Sequence, residues 1–455
     1  MKVTHVSLCA TEAAARAGRP SLTPELLAAT GARYSRNNEG LESILAKIDP
    51  ANLDKSVDGI FRMIDYGHQS IADMTPVSMF IDGVSMWLAY LMWSWCPTAG
   101  GQESSTRYIK MDEASLADPE ALGLDQEWRS EMIEALGAYE RALEYWEEIC
   151  RRQPELTRIP TALLESPDER AQRQVSRMRR NYAFDRARYF LPIGLLTNVM
   201  LVMSARAWVA LCQRLLSHEL PEPRALGAAI VTELELVTPR LIRHATYRES
   251  YAFGDAQEWA EARQAAAAPT RPVGAANAHL DVFAPGGLMP GAMPEALSAH
   301  KTRYDYFGAA LQRTAVRFGW NAIAFAEIRD LNRHRTGSKY CPSCPVGFYT
   351  ADDQVPEGTD GLPTDLVELG HATTNRFRQL MADGDRHAPY WGLLGVQFPF
   401  EHTTTADKFL YEAELRTGVG AHYRYAHHLH EVLDLWYQRF PETQALVLEG
   451  SGEPE

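Results

Sequence analysis

The sequence predicts an α/β or α+β protein built from two tandem domains. Three observations carry that expectation. Short strand-like runs lead into strongly apolar helical runs. A segment near residues 254–300 is dense in alanine, proline and glycine. The order of features before that segment recurs after it. The predicted organisation is therefore residues 1–253, a loop-rich linker over 254–300, and a second domain over 301–450, within the roughly two to four domains expected at this length. The net charge of −14 argues against non-specific nucleic-acid or membrane binding over the whole surface, though not against a local basic pocket. Six cysteines in 455 residues give no disulfide framework, so a reducing cytoplasm is the simplest compartment. No apolar run approaches the ~20 residues of a membrane span. The first ten residues read as a first strand and not as a signal peptide.

Taken in order, Val3 to Leu8 mixes apolar and polar residues as a half-buried strand does. A short helix is expected from Pro24 to Thr30, followed by a helical region to about Ile64. Gly67 then reads as a helix stop, with His68 opening a new segment. Val77 to Asp82 is a strand candidate, and the nearly apolar run from Gly83 to Trp95 is expected as a buried helix. A break at Pro97, Gly100 and Gly101 leads to Glu103-Ser104-Ser105-Thr106-Arg107-Tyr108. From Trp128 to Cys150, apolar residues at 132, 136, 139, 143, 146 and 150 mark a long amphipathic helix. Arg179, Arg180, Arg186 and Arg188 precede Leu191-Pro192, and helices are expected over 197–216 and 223–241.

After the linker, apolar residues at 320, 323, 324, 328 and 331 give helical spacing, and Arg333-His334-Arg335 emerges near the end of that run. Arginine grips phosphate with a planar fork, and histidine adds a donor that switches charge near neutrality. Such a cluster suits a phosphorylated cofactor or nucleotide. It equally suits a solvated basic turn at a helix C-terminus. Glu103 to Arg107 likewise fits either an anion site or a surface loop with a local ion pair.

The two halves can be laid on each other. Val77 to Asp82 and its apolar helix match Val316 to Trp320 and its helix; Trp93-Ser94-Trp95 then stands where Arg333-His334-Arg335 stands. The tryptophans fit core filling, or stacking on a flat ligand. Leu191-Pro192 followed by Arg206, Arg214 and His218 is matched to Phe398-Pro399 followed by Arg416, Arg424 and His428, with equal spacing of the three basic residues.

These residues resemble the flavin-dependent thymidylate synthases, the ThyX family. Its signature is Arg-His-Arg, two residues, Ser, four residues, Ser, one residue, Arg, with a Glu two places before the second Ser. The right half keeps Arg333-His334-Arg335, Ser338 and Ser343, but carries Cys341 for the Glu and Pro345 for the last Arg. The left half keeps Glu103, Ser105, Arg107 and Tyr108 and has lost the basic cluster. Gly67-His68 and Ala187-Arg188-Tyr189-Phe190-Leu191-Pro192 resemble further family elements, and Ser204-Ala205-Arg206 resembles its Asn-Ala-Arg.

The resemblance implies two ThyX-like domains, each a mixed sheet with a long helical bundle. It implies FAD at a subunit interface, NADPH and methylenetetrahydrofolate as co-substrates, and methylation or hydroxymethylation of a dUMP-like nucleotide at uracil C5. Carried over by position, Arg333, His334, Arg335, Ser338, His218, Arg424 and His428 become flavin-side candidates. Glu103, Ser105, Arg107 and Arg188 become nucleotide-side candidates, and His68, Arg188 and Arg214 the candidate catalytic residues. Neither half holds a full signature, so a composite site is expected, with Arg333-His334-Arg335 meeting Glu103, Ser105, Arg107 and Arg188. A homodimer would then act as a pseudo-tetramer. The alternative is a non-catalytic or repurposed paralogue that binds flavin or nucleotide, or a scaffold. No metal site is expected. Cys341-Pro342-Ser343-Cys344 has the spacing of a redox pair or half a zinc site, but also suits a structural or pocket-lining role. No Gly-x-Gly-x-x-Gly follows a strand, so a Rossmann site is not expected.

Overall fold

The structure is a computed structural model that describes residues 1–36, 40–49, 52–65, 69–96, 98–107, 109–157, 159, 161–268, 277–284, 291–418 and 421–450. The chain packs as two compact units, each discontinuous in sequence. Unit 1 takes Met1–Ser105, Ala117–Leu124 and Leu196–Gln257; unit 2 takes Thr106–Leu116, Asp125–Leu195 and Glu258–Glu455. The sequence reading cut the chain once, at 254–300. A repeat relates stretches of sequence and a compact unit relates contacts, so the packing units do not decide the repeat boundaries.

Unit 1 is organised on β1 (Lys2–His5), β2 (Pro76–Ser85), β3 (Gly100–Glu103) and β4 (Leu196–Ser204), antiparallel in the order β1-β2-β4-β3. Strand β2 turns Val77, Met79 and Ile81 into the core and leaves Phe80 and Asp82 exposed, the two-residue period of a pleated strand. Its register shifts between Asp82 and Val84. The residue between them, Gly83, sits at φ +73° and donates its N–H to Asn198 Oδ1 at 3.0 Å. A side chain there would be strained, which is why the bulge carries glycine. The next residue but one, Ser85, caps helix Met86–Trp95 by accepting from the Leu88 N–H at 3.0 Å. That helix shares one core with Ala205–Ser217 and Pro221–Glu235, through Leu88, Trp93, Trp208, Leu211, Leu226 and Ile230. Trp208 is fully buried and donates its indole N–H to Val77 O at 3.1 Å, so its core position leaves no polar atom unpaired.

Unit 2 has β5 (Ala278–Phe283), β6 (Ala315–Ala324), β7 (Ser338–Tyr340), β8 (Gly347–Phe348) and β9 (Val396–Thr405). The order is β5-β6-β9-β7, antiparallel, with β8 also pairing β9. The first four strands of this path repeat the order of unit 1. The second strand again carries a register shift near its end, between Trp320 and Ile323. Directly after β4 and β9, Ala205 N donates to Thr75 O at 2.8 Å and Ala406 N to Thr314 O at 2.8 Å. Unit 2 also holds the long helices Gln126–Arg152, Glu169–Ala187 and Thr364–Asp383. The first begins with Trp128 fully buried, its indole donating to Tyr390 O at 2.9 Å. Gly194 makes room for that ring, since a Cβ there would lie 2.6 Å from it. The segment after Arg188–Phe190 pairs with the segment after Ala388–Trp391. Pro192 bridges Leu393, Ile193 N donates to Gly392 O at 2.9 Å, and Leu394 N to Leu191 O at 2.8 Å.

Several sequence expectations are corrected by this fold. The expected helix over 197–216 is β4 followed by helix Ala205–Ser217. The helical spacing from 320 onward spans the end of β6 before helix Phe325–Leu331 begins. Both strands are densely apolar, and a continuous apolar run does not distinguish strand from buried helix. Phe398-Pro399 lies inside β9 and is not the counterpart of Leu191-Pro192; the paired segment is Gly392-Leu393. The 254–300 segment is not wholly loop: it contains the end of helix Glu249–Ala267, β5 and helix Ala292–Leu297. Its alanine run favours helix, a propensity outweighed in the sequence reading by the neighbouring prolines. Every strand pair is antiparallel, so the sheets of the described residues are not mixed. Among the described residues, no helix is long and apolar enough to cross a membrane.

Candidate functional site

Helix Phe325–Leu331 is short and almost wholly buried, yet it carries Glu327 and Asp330. Three residues apart, they share one helical face. Arg188 meets both from the turn Arg188–Phe190: its Nη2 lies 3.2 Å from Glu327 Oε1 and 3.4 Å from Asp330 Oδ2. Arg333, just past the helix, reaches Asp330 Oδ1 at 3.0 Å. Burial disfavours the charged form of Asp330, but Arg333, Arg188, Arg416 and Arg329 outweigh it and hold the carboxyl at about 2. Burial wins at Glu327, which is pushed up to about 7 against the pull of Arg188 and a hydrogen bond from Tyr189. The Tyr189 hydroxyl donates to Glu327 Oε1 at 3.0 Å.

Arg107 forms a second anchor in the same unit. It grips Asp185 in a bidentate pair, Nε to Oδ1 at 2.9 Å and Nη2 to Oδ2 at 2.6 Å. His422 Nε2 lies 3.1 Å from the Asp185 carbonyl, and burial together with Arg188 and Arg107 keeps its ring neutral. Arg424 pairs with Asp353 at 2.9 Å and lies 4.2 Å over the Tyr349 ring.

The basic cluster itself divides. The His334 residue is half-buried but its ring is enclosed: Nε2 accepts from Arg416 Nε at 2.8 Å, and the Lys339 ammonium donates to its carbonyl. Burial, with Arg416 beside it, pushes the ring down to about 3, so His334 is neutral. Behind it His402 lies 3.1 Å from Glu412, whose carboxyl is held at about 2 by His334 and His402 despite its burial. His334 therefore ties its loop to helix Ala406–Thr417, and the charge of the cluster resides on Arg333 and Arg335. Gly337, at φ +71°, closes the loop against β9, where a Cβ would lie 2.0 Å from Thr403 O. Ser338 is exposed at the start of β7.

Unit 2 thus brings together Arg107, Arg188, Arg333, Arg335 and, at its edge, Arg424. Several of the other predicted positions belong to unit 1. Glu103 ends β3 in unit 1, accepting from Trp93 Nε1 at 3.2 Å and Thr197 Oγ1 at 3.4 Å. Trp93 itself is buried in the unit 1 core. Ser105 is half-buried at the end of that unit's first segment. Arg214 lies 5.4 Å over the Trp95 and Tyr251 rings, and His218 Nδ1 accepts from Leu220 N at 3.1 Å, both in unit 1. His428 is buried and bonded to Glu431 at 3.0 Å, held down to about 4 by burial. His68 and Tyr108 lie outside the described residues.

The matched triplets are corrected. Arg206 opens helix Ala205–Ser217 and pairs with Asp73 at 2.9 Å, whereas Arg416 ends helix Ala406–Thr417. Arg424 and His428 belong to the next helix, Tyr423–Arg439, so the equal spacing does not mark equivalent places. The loop alignment does agree with the registers. Glu103 follows Gln102, which faces Met200, and Cys341 follows Tyr340, which faces Glu401. Cys344 is buried, which pushes its thiol up, away from a reactive thiolate. Asp185, Glu327, Asp330, Tyr189, Tyr349 and Tyr423 were not singled out as site residues in the sequence. The signal available was two carboxylates three residues apart in an otherwise apolar run.

Residues 20–240 match the family described as thymidylate synthase complementing protein. That match covers just under half of the chain. A UPF0159 protein of Thermoplasma acidophilum is 26% identical over 231 residues, 46% of each chain, so the match spans about half of that relative. A solved UMP/dUMP methylase, PolB from Streptomyces cacaoi bound with 5-Br dUMP, aligns at 15% identity and a TM-score of 0.31, over 53% of this chain and 93% of that one. The matched segment takes in β2, β3, β4 and the Arg107 and Arg188 anchors, and it stops before the Arg333 loop.

Proposed function

We propose that unit 2 binds a uracil nucleotide together with FAD and that the chain transfers a one-carbon unit, as methyl or hydroxymethyl, to uracil C5. One observation carries the reading: guanidinium groups outnumber carboxylates around Asp330, and the buried Nε atoms of Arg188 and Arg333 have no hydrogen-bond partner among the described residues. Buried donors are normally satisfied, and an anion would satisfy these. Arg107 and Arg188 take the nucleotide phosphate; Arg333 and Arg335 take the cofactor pyrophosphate. This donor set fits a phosphorylated cofactor through its arginines, while His334 serves as a strut and not as a ligand. When bound, FAD reduced by NADPH supplies electrons to a one-carbon unit delivered by methylenetetrahydrofolate. The protein's own part is to hold the uracil in line and to accept the proton that leaves C5.

The repeated strand order, the paired bulges and the registers that set Cys341 at the place of Glu103 support a tandem duplication. In that reading one copy kept the nucleotide loop and the other the basic cluster, and two chains assemble as a homodimer. Six cysteines in 455 residues suit a cytoplasmic setting. A second reading, a binding paralogue without catalysis, is favoured by one feature: Asp185, Glu327 and Asp330 already occupy the arginines a phosphate would need. Flavin absorbance of the purified protein, then deuterium release from C5-labelled dUMP and UMP, separates the two. A yellow protein that releases label supports the enzyme; a flavin-bound protein that releases none supports the paralogue; a protein that takes up neither FAD nor nucleotide refutes both.

A further inference from the structure

We propose that Glu327, Tyr189, Tyr423, Tyr349 and Asp353 form a proton path within unit 2, from the carboxyl beside Arg188 to the surface. The links are continuous. Tyr189 donates to Glu327 at 3.0 Å, Tyr423 donates to Tyr189 at 3.4 Å, Tyr349 and Tyr423 hydroxyls lie 3.4 Å apart, and Tyr349 Oη donates to Asp353 Oδ1 at 2.5 Å. Glu327 and Tyr189 are fully buried and Tyr349 nearly so, while the Asp353 side chain is 46% exposed. Among the described residues, these three hydroxyls bond only to one another and to the two carboxylates. Buried hydroxyls more often find a backbone carbonyl, so a run of three that relay to each other is a directed arrangement.

The path works in two orientations. With Glu327 ionised, Asp353 protonated from solvent donates to Tyr349, and each hydroxyl points inward to the next, ending at Glu327. A hop along the row moves one proton onto Glu327, ionises Asp353 and reverses every hydroxyl; no group gains or loses net charge in between. Glu327 sits near neutrality, at about 7, so both of its forms are populated at working pH. The groups facing it are Arg188, Tyr189 and Arg424, with Asp330 sharing Arg188 from the same helix. Along the row, Arg186 lies 4.2 Å over the Tyr423 ring, Arg424 lies over Tyr349 and pairs with Asp353, and neutral His422 packs against Tyr189. These cations disfavour a net positive charge in the row, which favours hopping between hydroxyls over passage of a free hydronium. The use of the path as outlet for the C5 proton rests on the function proposed above; the path itself does not.

The test uses the full chain without substrate, so its failure is separate from failure of the proposed reaction. Infrared difference spectra identify the Glu327 carboxyl band as the one missing in Glu327→Gln, and a pH jump follows its re-equilibration. The expected result is a slowing of about tenfold or more in Tyr423→Phe and in Tyr349→Phe, each of which keeps its ring, with the titration midpoint little changed. Tyr437→Phe, which removes a buried hydroxyl bonded to Glu449 away from the row, leaves the rate unaltered. Equal rates in the wild type and both row variants, equal slowing in Tyr437→Phe, or the absence of a titrating Glu327 band overturns the proposal.

Discussion

Replacing Asp330 by Asn removes one charge from the centre of the arginine cluster and leaves its shape. Folding shifts this carboxyl from the usual 3.8 to about 2, a shift worth roughly 2–3 kcal/mol by linkage. Its pKa is depressed in the fold, so the stabilisation is present above the unfolded value and is lost as pH falls through the folded one. The window is therefore about pH 4 to 2, with about half gone near pH 3. Leaving Arg188 and Arg333 short of a counter-charge adds to the loss, so about 2–5 kcal/mol is expected at neutral pH. Amide hydrogen exchange across helix Phe325–Leu331 reports the local opening free energy without requiring the two units to unfold together. The wild type minus variant difference should be full at pH 5–7 and shrink by roughly half near pH 3. A difference under about 0.5 kcal/mol at neutral pH, or one that does not change with pH, would refute the placing of Asp330 among these arginines.

Glu327 behaves oppositely: its raised pKa means its contribution is present below the usual 4.5 and is lost as pH rises through about 7, so Glu327→Gln should flatten the melting temperature against pH across that window. Gly337→Ala should destabilise the Arg333 loop by about 1–3 kcal/mol, because the backbone is left-handed and the Cβ meets Thr403 O; a urea midpoint and a loss of FAD uptake check this. Trp93→Phe should cost about 1 kcal/mol by removing the indole hydrogen bond to Glu103 in unit 1, read as a lower melting temperature.

The parts of this protein most legible in its sequence are those tied to local chemistry. The long helix beginning near Trp128 was visible because an amphipathic period repeats over many turns. The loop match of Glu103 to Cys341 was visible because matched residues keep their spacing after a strand pair of fixed register. The end of β6 and nearly all of β4 read as helix in the sequence, because both are apolar on the two faces and lack the polar alternation that identifies a half-buried strand. Glu327 and Asp330 were passed over for a different reason: a carboxylate declares its role through a partner, and Arg188 lies far away along the chain. The three tyrosines likewise come from separate segments and acquire meaning only when their hydroxyls meet. His334 shows the converse, a motif residue whose ring turned out to face Arg416.

The central claim is that Arg107 and Arg188 hold the nucleotide phosphate in unit 2, beside Arg333 and Arg335 on the cofactor side. Calorimetric titration of the FAD-loaded chain with dUMP tests it most directly. The account requires about one nucleotide per chain, with binding lost or weakened at least about tenfold in both Arg107→Ala and Arg188→Ala. Unchanged dUMP affinity in both variants, or two equivalent nucleotides per chain, would contradict it.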